Sequence, residues 1–188
     1  MKTELLIGCG NSRDRKIRLP TQGPEWNNLT TLDYSPDCNP DVVHDLEVLP
    51  FPFGDNTFDE IHAYEVLEHT GNQGDWRFFF DQFSELHRIL KPDGLLLATV
   101  PRHDSVWAWG DPSHRRVILK ESLIFLDQDS YAQIGKTAMT DFRSYWKKSF
   151  KVLNAQHHGE HTLAFILQAK KNDLSGHGDN NMEHGESV

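Results

Sequence analysis

The stretch Leu5-Leu6-Ile7-Gly8-Cys9-Gly10-Asn11-Ser12 decides how this chain is read. Three apolar residues run into two glycines one residue apart, and the chain then turns polar. That pattern is a short buried strand that empties into a turn where backbone approaches something closely. The turn can cradle a phosphate, hold a different cofactor, or only close tightly on itself. A dinucleotide fingerprint places its third glycine at position 13, which is Arg13 here, and the Gly-Lys-Ser/Thr of a phosphate loop is absent. Both phosphate readings are weak, so the decision passes to the residues beyond the turn.

Those residues alternate in character. Residues 29–32, 41–44, 58–64 and 95–100 read as short strands, each succeeded by turn chemistry. Between the last two lies the strongest helix, 75–90, with Trp76, Phe79, Phe80, Phe83, Leu86 and Leu90 on one face. Asp75 suits its N-cap, and Lys91-Pro92-Asp93-Gly94 stops it. Residues 150–156 and 162–169 form a final pair of strands around the turn His157-His158-Gly159-Glu160-His161. Strands interleaved with helices predict an α/β fold with an open, mostly parallel sheet, and the terminal hairpin adds an antiparallel edge. In such a sheet ligands bind beyond the carboxyl ends of the strands, where Gly8-Cys9-Gly10 lies.

Two acids occupy the same place on later strands. Asp33 ends the second strand, where a carboxylate accepts hydrogen bonds from ribose hydroxyls or starts the turn Tyr34-Ser35-Pro36. Asp45-Leu46 comes after the third strand, where an Asp side chain and the next N–H read an adenine edge, or where the acid is only a loop residue. The fourth strand ends in Glu65-Val66-Leu67-Glu68-His69.

The succession LLIGCGNS, LDYS, HDLEVLPFPFGDNTFDEI, YEVLEH and RILKPDGLLLATVP resembles the class I S-adenosylmethionine-dependent methyltransferases, in particular the small branch with a GCG first motif and an LEH fourth motif. The resemblance covers residues 4–101 and continues more weakly through 111–123 and the final hairpin. It implies a Rossmann-like, three-layer α/β/α fold with seven strands, the last hairpin reversing one of them. It implies S-adenosyl-L-methionine as cofactor, its methionine moiety on the loop Gly8-Cys9-Gly10, with Asn11 a further cofactor-binding residue. The ribose then falls on Asp33 beside Tyr34, the adenine near Asp45 and Leu46, and Glu65 closes the site. Ser12 stands where the family has its third glycine, and Pro20, Gly23 and Pro24 break the helix that the family places between the first two strands. A reduced first helix is therefore expected.

Methyl transfer requires an acceptor atom held in line with an already activated methyl group, water excluded, and for oxygen or nitrogen acceptors sometimes a base. Residues 101–140 are expected to wall the acceptor side, with Trp107 and Trp109 as flat apolar surface. His114, in the segment Asp111-Pro112-Ser113-His114, and His69 are the candidate catalytic residues. Arg115-Arg116 reads as solvated charge, and residues 120–126 as a helix.

Composition narrows the partners. A net charge of −9 disfavours long nucleic acid, and no apolar run is long enough to span a membrane. With two cysteines, Cys9 and Cys38, and no leader-like N-terminus, the expected location is the cytoplasm. No metal site is expected: His157, His158 and His161 have metal-like content, but a hairpin tip offers little to orient ligands. Residues 172–188 carry Asp173, Asp179, Glu183 and Glu186 with almost no apolar content, and are expected to be a disordered acidic tail after one domain at 1–171. The expected activity is methyl transfer to an oxygen or nitrogen atom of a small or peripheral acceptor; the alternative is a cofactor-binding regulatory module without turnover.

Overall fold

The computed structural model describes residues 1–20 and 22–171; the expected tail lies outside them. Seven strands form one sheet: β1 (Glu4–Ile7), β2 (Leu29–Asp33), β3 (Val42–Val43), β4 (Phe58–Tyr64), β5 (Leu90–Pro101), β6 (Ser149–His158) and β7 (Thr162–Lys170). Their order in space is β3-β2-β1-β4-β5-β7-β6. The first five pair in parallel, and β7 enters antiparallel between β5 and β6. The seven-stranded, mostly parallel sheet with an antiparallel terminal hairpin is thus the one the sequence predicts. The chain winds outward from β1 through β2 to β3, then restarts at β4, so the switch point lies between β1 and β4.

One face carries the helices. In α1 (Trp76–Ile89) the Asp75 carboxylate accepts from the Phe78 N–H, satisfying an end donor as an N-cap should. Its inner stripe of Phe80, Phe83, Leu86 and Ile89 packs into one cluster with Leu5, Ile7, Ile61, Leu96 and Phe165. Trp146 stacks on Phe80 with ring centroids 5.3 Å apart. Two further helices are short, α2 (Val106–Gly110) and α3 (Lys120–Leu123); the latter continues as a 3-10 turn over Ile124–Leu126, so the helix expected over 120–126 is split.

The other face has no helix over β1 and β4. Among the described residues of 11–28 none is helical, so the reduction expected there is complete. Leu6, on the opposite side of β1 from Leu5 and Ile7, packs instead with Cys9, Tyr64, Ile17 and Trp26. A charge bridge holds this coil down. Glu4 and Glu60 stand directly opposite each other on β1 and β4, both fully buried. Like charges in register oppose pairing. The Arg15 guanidinium enters between them, Nη2 donating to Glu4 Oε1 at 2.6 Å and Nη1 to Glu60 Oε2 at 3.4 Å. It lies 4.1 Å from the centroid of the Trp26 ring. Gln22 donates to both Glu60 oxygens at 2.6 and 2.8 Å, and Lys2 reaches Glu60 from outside at 2.7 Å.

The sheet's two outer strands are irregular. β3 has two residues, against the four expected, because Pro40 and the Asp45 turn bracket it closely. β6 slips register between Val152 and Asn154, with Leu153 exposed. No helix among the described residues is long and apolar enough to cross a membrane.

Two stability predictions arise here. Replacing Arg15 by Met leaves Glu4 and Glu60 opposed in the core, and is expected to cost about 3–5 kcal/mol. Urea denaturation measures it; a loss below about 1 kcal/mol, the scale of an exposed pair, would show that the bridge is dispensable. The second concerns His87, buried on α1 with its Nε2 at 3.0 Å from the Lys170 carbonyl. Burial pushes its pKa down to about 4. An unfolded histidine titrates near pH 6.5, so below that pH the unfolded chain takes up a proton that the folded one refuses. Stability is complete above about pH 6.5 and is expected to fall by on the order of 3 kcal/mol as the pH drops towards 4. His87→Gln should flatten that slope; equal slopes in the two proteins would refute the assignment.

Candidate functional site

The carboxyl ends of β1, β2 and β4 open onto a cleft of about 530 Å³. Gly8 and Gly10 form its floor after β1, Asp33 and Tyr34 its wall after β2, and Glu65 and His69 its wall after β4. Asp45 and Leu46 close it after β3. Eight residues singled out in the sequence thus meet in one place: Gly8, Gly10, Asp33, Tyr34, Asp45, Leu46, Glu65 and His69.

The first glycine is required by contact and by conformation. Gly8 has φ +60°, and a Cβ there would overlap Val66 Cγ2. Glu65 holds φ +51° at the end of β4, turning the chain so that Val66 meets the glycine loop. Gly10 donates its N–H to Asp33 Oδ2 at 2.8 Å, while Asp33 Oδ1 accepts from the Ser35 N–H at 3.0 Å. Asp33 therefore starts its own turn and ties the glycine loop to β2, and its remaining lone pairs are left for a ligand. Arg13, where a dinucleotide site would have glycine, braces the loop from outside. Its Nη1 donates to the Gly10 carbonyl at 2.6 Å, and its Nη2 to the Cys38 and Asn39 carbonyls at 2.8 and 3.1 Å.

Two expected cofactor residues lie outside the cleft lining. Cys9 points to the opposite face, packed on Leu6 and Tyr64, where burial raises its thiol pKa. Asn11 is exposed beyond the loop. The physical reason is the turn itself: with Gly8 and Gly10 both at positive φ, the residues between and after them face away. Tyr34 stands at the rim, 76% exposed, and the Asp45 carboxylate caps its own loop by accepting from the Glu47 N–H at 2.9 Å.

The two candidate histidines meet. Arg115 and Arg116 donate backbone N–H groups to the Glu68 carbonyl at 2.9 and 3.2 Å, bringing the segment after α2 against the 3-10 turn Leu67–His69. The His69 and His114 rings then lie 4.7 Å apart at 75°. His69 faces the cleft; His114 sits behind it, its side chain 9% exposed. His69 Nδ1 lies 3.3 Å from the Ser113 carbonyl. A carbonyl only accepts, so Nδ1 carries the hydrogen and the Nε2 lone pair is left free.

Glu68, read in the sequence only as part of a motif, is buried directly beneath, and neither carboxylate oxygen has a hydrogen-bond partner. Burial and the neighbouring Glu65 carboxylate hold its pKa well above the usual carboxylate range. Arg116, expected to be solvated, is instead buried, donating to the Leu67 carbonyl, Thr70 Oγ1 and Gln82 Oε1. Arg115 pairs with Glu47 at 2.6 Å across the cleft's edge. Trp107 and Trp109 do not line the cleft; they are 57% and 70% exposed, Trp109 donating its Nε1–H to the His103 carbonyl. The hairpin histidines lie at the far tip of β6 and β7, where His161 Nδ1 meets Ser105 Oγ at 3.1 Å.

The expected cofactor suits this donor set. Two glycines without Cβ let a ligand lie on backbone, and Asp33, Asp45 and Glu65 make a negative wall. S-adenosylmethionine carries a net positive charge, which that wall favours, whereas a pyrophosphate would be repelled.

Residues 5–98 match the protein family described as a methyltransferase domain. Among solved structures, an S-adenosylmethionine-dependent methyltransferase from Archaeoglobus fulgidus is similar, with TM-score 0.54, 15% identity, and coverage of 89% of this chain and 86% of that one. A 1,6-didemethyltoxoflavin-N1-methyltransferase from Burkholderia thailandensis, solved with 1,6-didemethyltoxoflavin and S-adenosylhomocysteine, has TM-score 0.53 and 16% identity over 90% of this chain and 72% of that one. The N-methyltransferase NodS from Bradyrhizobium japonicum, in complex with S-adenosylhomocysteine, has TM-score 0.50 and 14% identity over 90% and 79%. At such identities the likeness is one of fold. No curated protein matches the sequence.

Asp33→Ala should remove charge-assisted hydrogen bonds worth about 1.5–3 kcal/mol each, lowering affinity for S-adenosylhomocysteine by roughly 10- to 100-fold. Titration calorimetry tests this, and unchanged affinity would take Asp33 out of the site.

Proposed function

The chain belongs to the methyltransferase domain family and is an S-adenosylmethionine-dependent methyltransferase, and from that premise we propose that it methylates an oxygen or nitrogen atom of a small acceptor that meets His69 at the mouth of the cleft. The observation that carries this reading is the position of His69. Its ring lines the same cleft as Gly8, Gly10, Asp33 and Glu65, and its Nε2 lone pair is left free by the bond to Ser113.

The bound cofactor supplies an electrophilic methyl group. The chain's own residues supply the rest. Gly8 and Gly10 bind through backbone, Asp33 holds the ribose, and Asp45 with Leu46 meets the adenine. Glu65 adds negative charge beside the cationic group. His69 Nε2 takes the proton that a hydroxyl or amine loses as it is methylated. His114, behind the ring, is a positioning residue that keeps the imidazole in place.

In this reading residues 1–171 are one methyltransferase domain acting in the cytoplasm, with 101–140 on the acceptor side. The charge of −9 argues against a long nucleic acid as acceptor. A cofactor-binding module without turnover is not favoured, since the family match is to a methyltransferase domain.

The test is formation of S-adenosylhomocysteine, monitored by mass spectrometry, with fractions of a cell extract as acceptors. Small-molecule fractions are expected to support turnover, and His69→Ala to lower it by roughly 100-fold or more with cofactor affinity nearly intact. His114→Ala should cost less. Turnover confined to the protein or nucleic-acid fractions would overturn the acceptor class, and a fall of only a few-fold in His69→Ala would remove the base.

A further inference from the structure

We propose that Glu68, His69 and His114 form a binding site for one divalent transition-metal ion of the zinc type, behind the cleft wall that His69 lines. Each residue offers one ligand atom, and these atoms all lie within 4.8 Å of one another. Two imidazoles and a carboxylate are a donor set that zinc-type ions favour. Ligands about 2.0–2.2 Å from a tetrahedral ion stand roughly 3.3 Å apart, so small rotations of the three side chains close the site.

What separates this cluster from a chance grouping is that both buried oxygens of Glu68 and the buried Nδ1 of His114 have no hydrogen-bond partner. Glu68 is 2% exposed, and neither of its oxygens has a partner; His114 Nδ1 is likewise buried and unpartnered. A buried carboxylate without a partner is costly, and a cation relieves that cost. The neighbouring Arg116 guanidinium makes its hydrogen bonds to Leu67, Thr70 and Gln82 and none to Glu68, on which it acts only through its charge. The fold supplies an internal comparison. Glu4, Glu60 and His62 lie within the same 4.8 Å limit. There every group is engaged: Glu4 and Glu60 by Arg15, Glu60 also by Gln22 and Lys2, and His62 by Tyr64 and Glu60. That cluster is closed by a protein cation, whereas the one at Glu68 is not.

Surrounding groups also aim the ligands. Metal-bound histidines commonly give their second nitrogen to a carbonyl or carboxylate. Ser113 holds His69 Nδ1 at 3.3 Å, which leaves Nε2, at 4.0 Å from Glu68 Oε1, for the ion. The Asp111 carboxylate stands 3.8 Å from His114 Nε2, which leaves Nδ1. The consequence for catalysis rests on the function proposed above: an ion on His69 Nε2 takes the lone pair that would receive the acceptor's proton. Binding itself does not depend on that reading.

The experiment uses the full chain, freed of metal with a chelator and titrated with zinc alone against a chromophoric competitor. One equivalent is expected to bind. His157→Ala/His158→Ala, which removes hairpin histidines, should retain it, while Glu68→Gln and His114→Ala should each weaken it at least tenfold. A second readout needs no variant: paramagnetic cobalt should broaden the His69 and His114 imidazole signals in a nuclear magnetic resonance spectrum. Zinc binding that is unchanged in Glu68→Gln and His114→Ala, or lost only in the hairpin variant, overturns the proposal, as does broadening confined to the hairpin histidines. Calorimetry with S-adenosylhomocysteine on the same samples separates the two readings. Cofactor binding without zinc sinks the metal site alone, and zinc binding without cofactor sinks the proposed function alone.

Discussion

Two carboxylates in register on neighbouring central strands ought not to pair, yet Glu4 and Glu60 do, at the switch point of the sheet. Arg15 makes that possible, and much else depends on it. The segment that delivers Arg15 is the one that replaces a helix, so it has no backbone ladder of its own to hold it. It stays because a guanidinium is clamped between two strands, covered by Trp26, with Tyr64 Oη accepting from the Ile17 N–H at 3.2 Å. Two residues earlier Arg13 braces the glycine loop. One short coil thus couples the amino ends of β1 and β4 to the ligand loop at their carboxyl ends.

The site has the same logic on its other side. Glu65 turns out of β4 at positive φ, and this sets Val66 against Gly8 and carries Glu68 and His69 below and beside the cleft. The segment at Ser113–Arg116 is then fixed by two backbone bonds to Glu68 and by the buried Arg116 guanidinium. This wall of the cleft is consequently built from elements far apart in sequence, and a change in any one reaches the others through a few named bonds.

The strands and most of the cleft residues at strand ends were legible because they rest on local pattern: apolar runs ending in glycine or acid. Long-range pairings were not. Nothing near Arg15 in the sequence points to Glu4 and Glu60, and Pro20, Gly23 and Pro24 show only that a helix fails there. Arg116 looked like its exposed neighbour Arg115, since two adjacent arginines carry no sign of which is buried. Glu68 gave a faint signal, a carboxylate beside a histidine after a buried strand, but its lack of partners is a property of the fold alone. The two tryptophans show the converse: aromatic content suggested a wall, whereas their side chains point to solvent.

The outer strands have a consequence for how the molecule meets its own copies. An exposed, flat strand at the rim of a sheet is a template on which another chain can add by backbone hydrogen bonds. Here one rim is only two residues long, and the other is kinked by the slip between Val152 and Asn154, with Lys147, Lys148 and Lys151 around its start. Past the slip, β6 keeps regular register only over residues 154–158. An open sheet of seven strands, most of them apolar, is thereby kept from growing into an eighth supplied by a neighbour, which guards the protein against aggregation at the concentrations of a crowded cell.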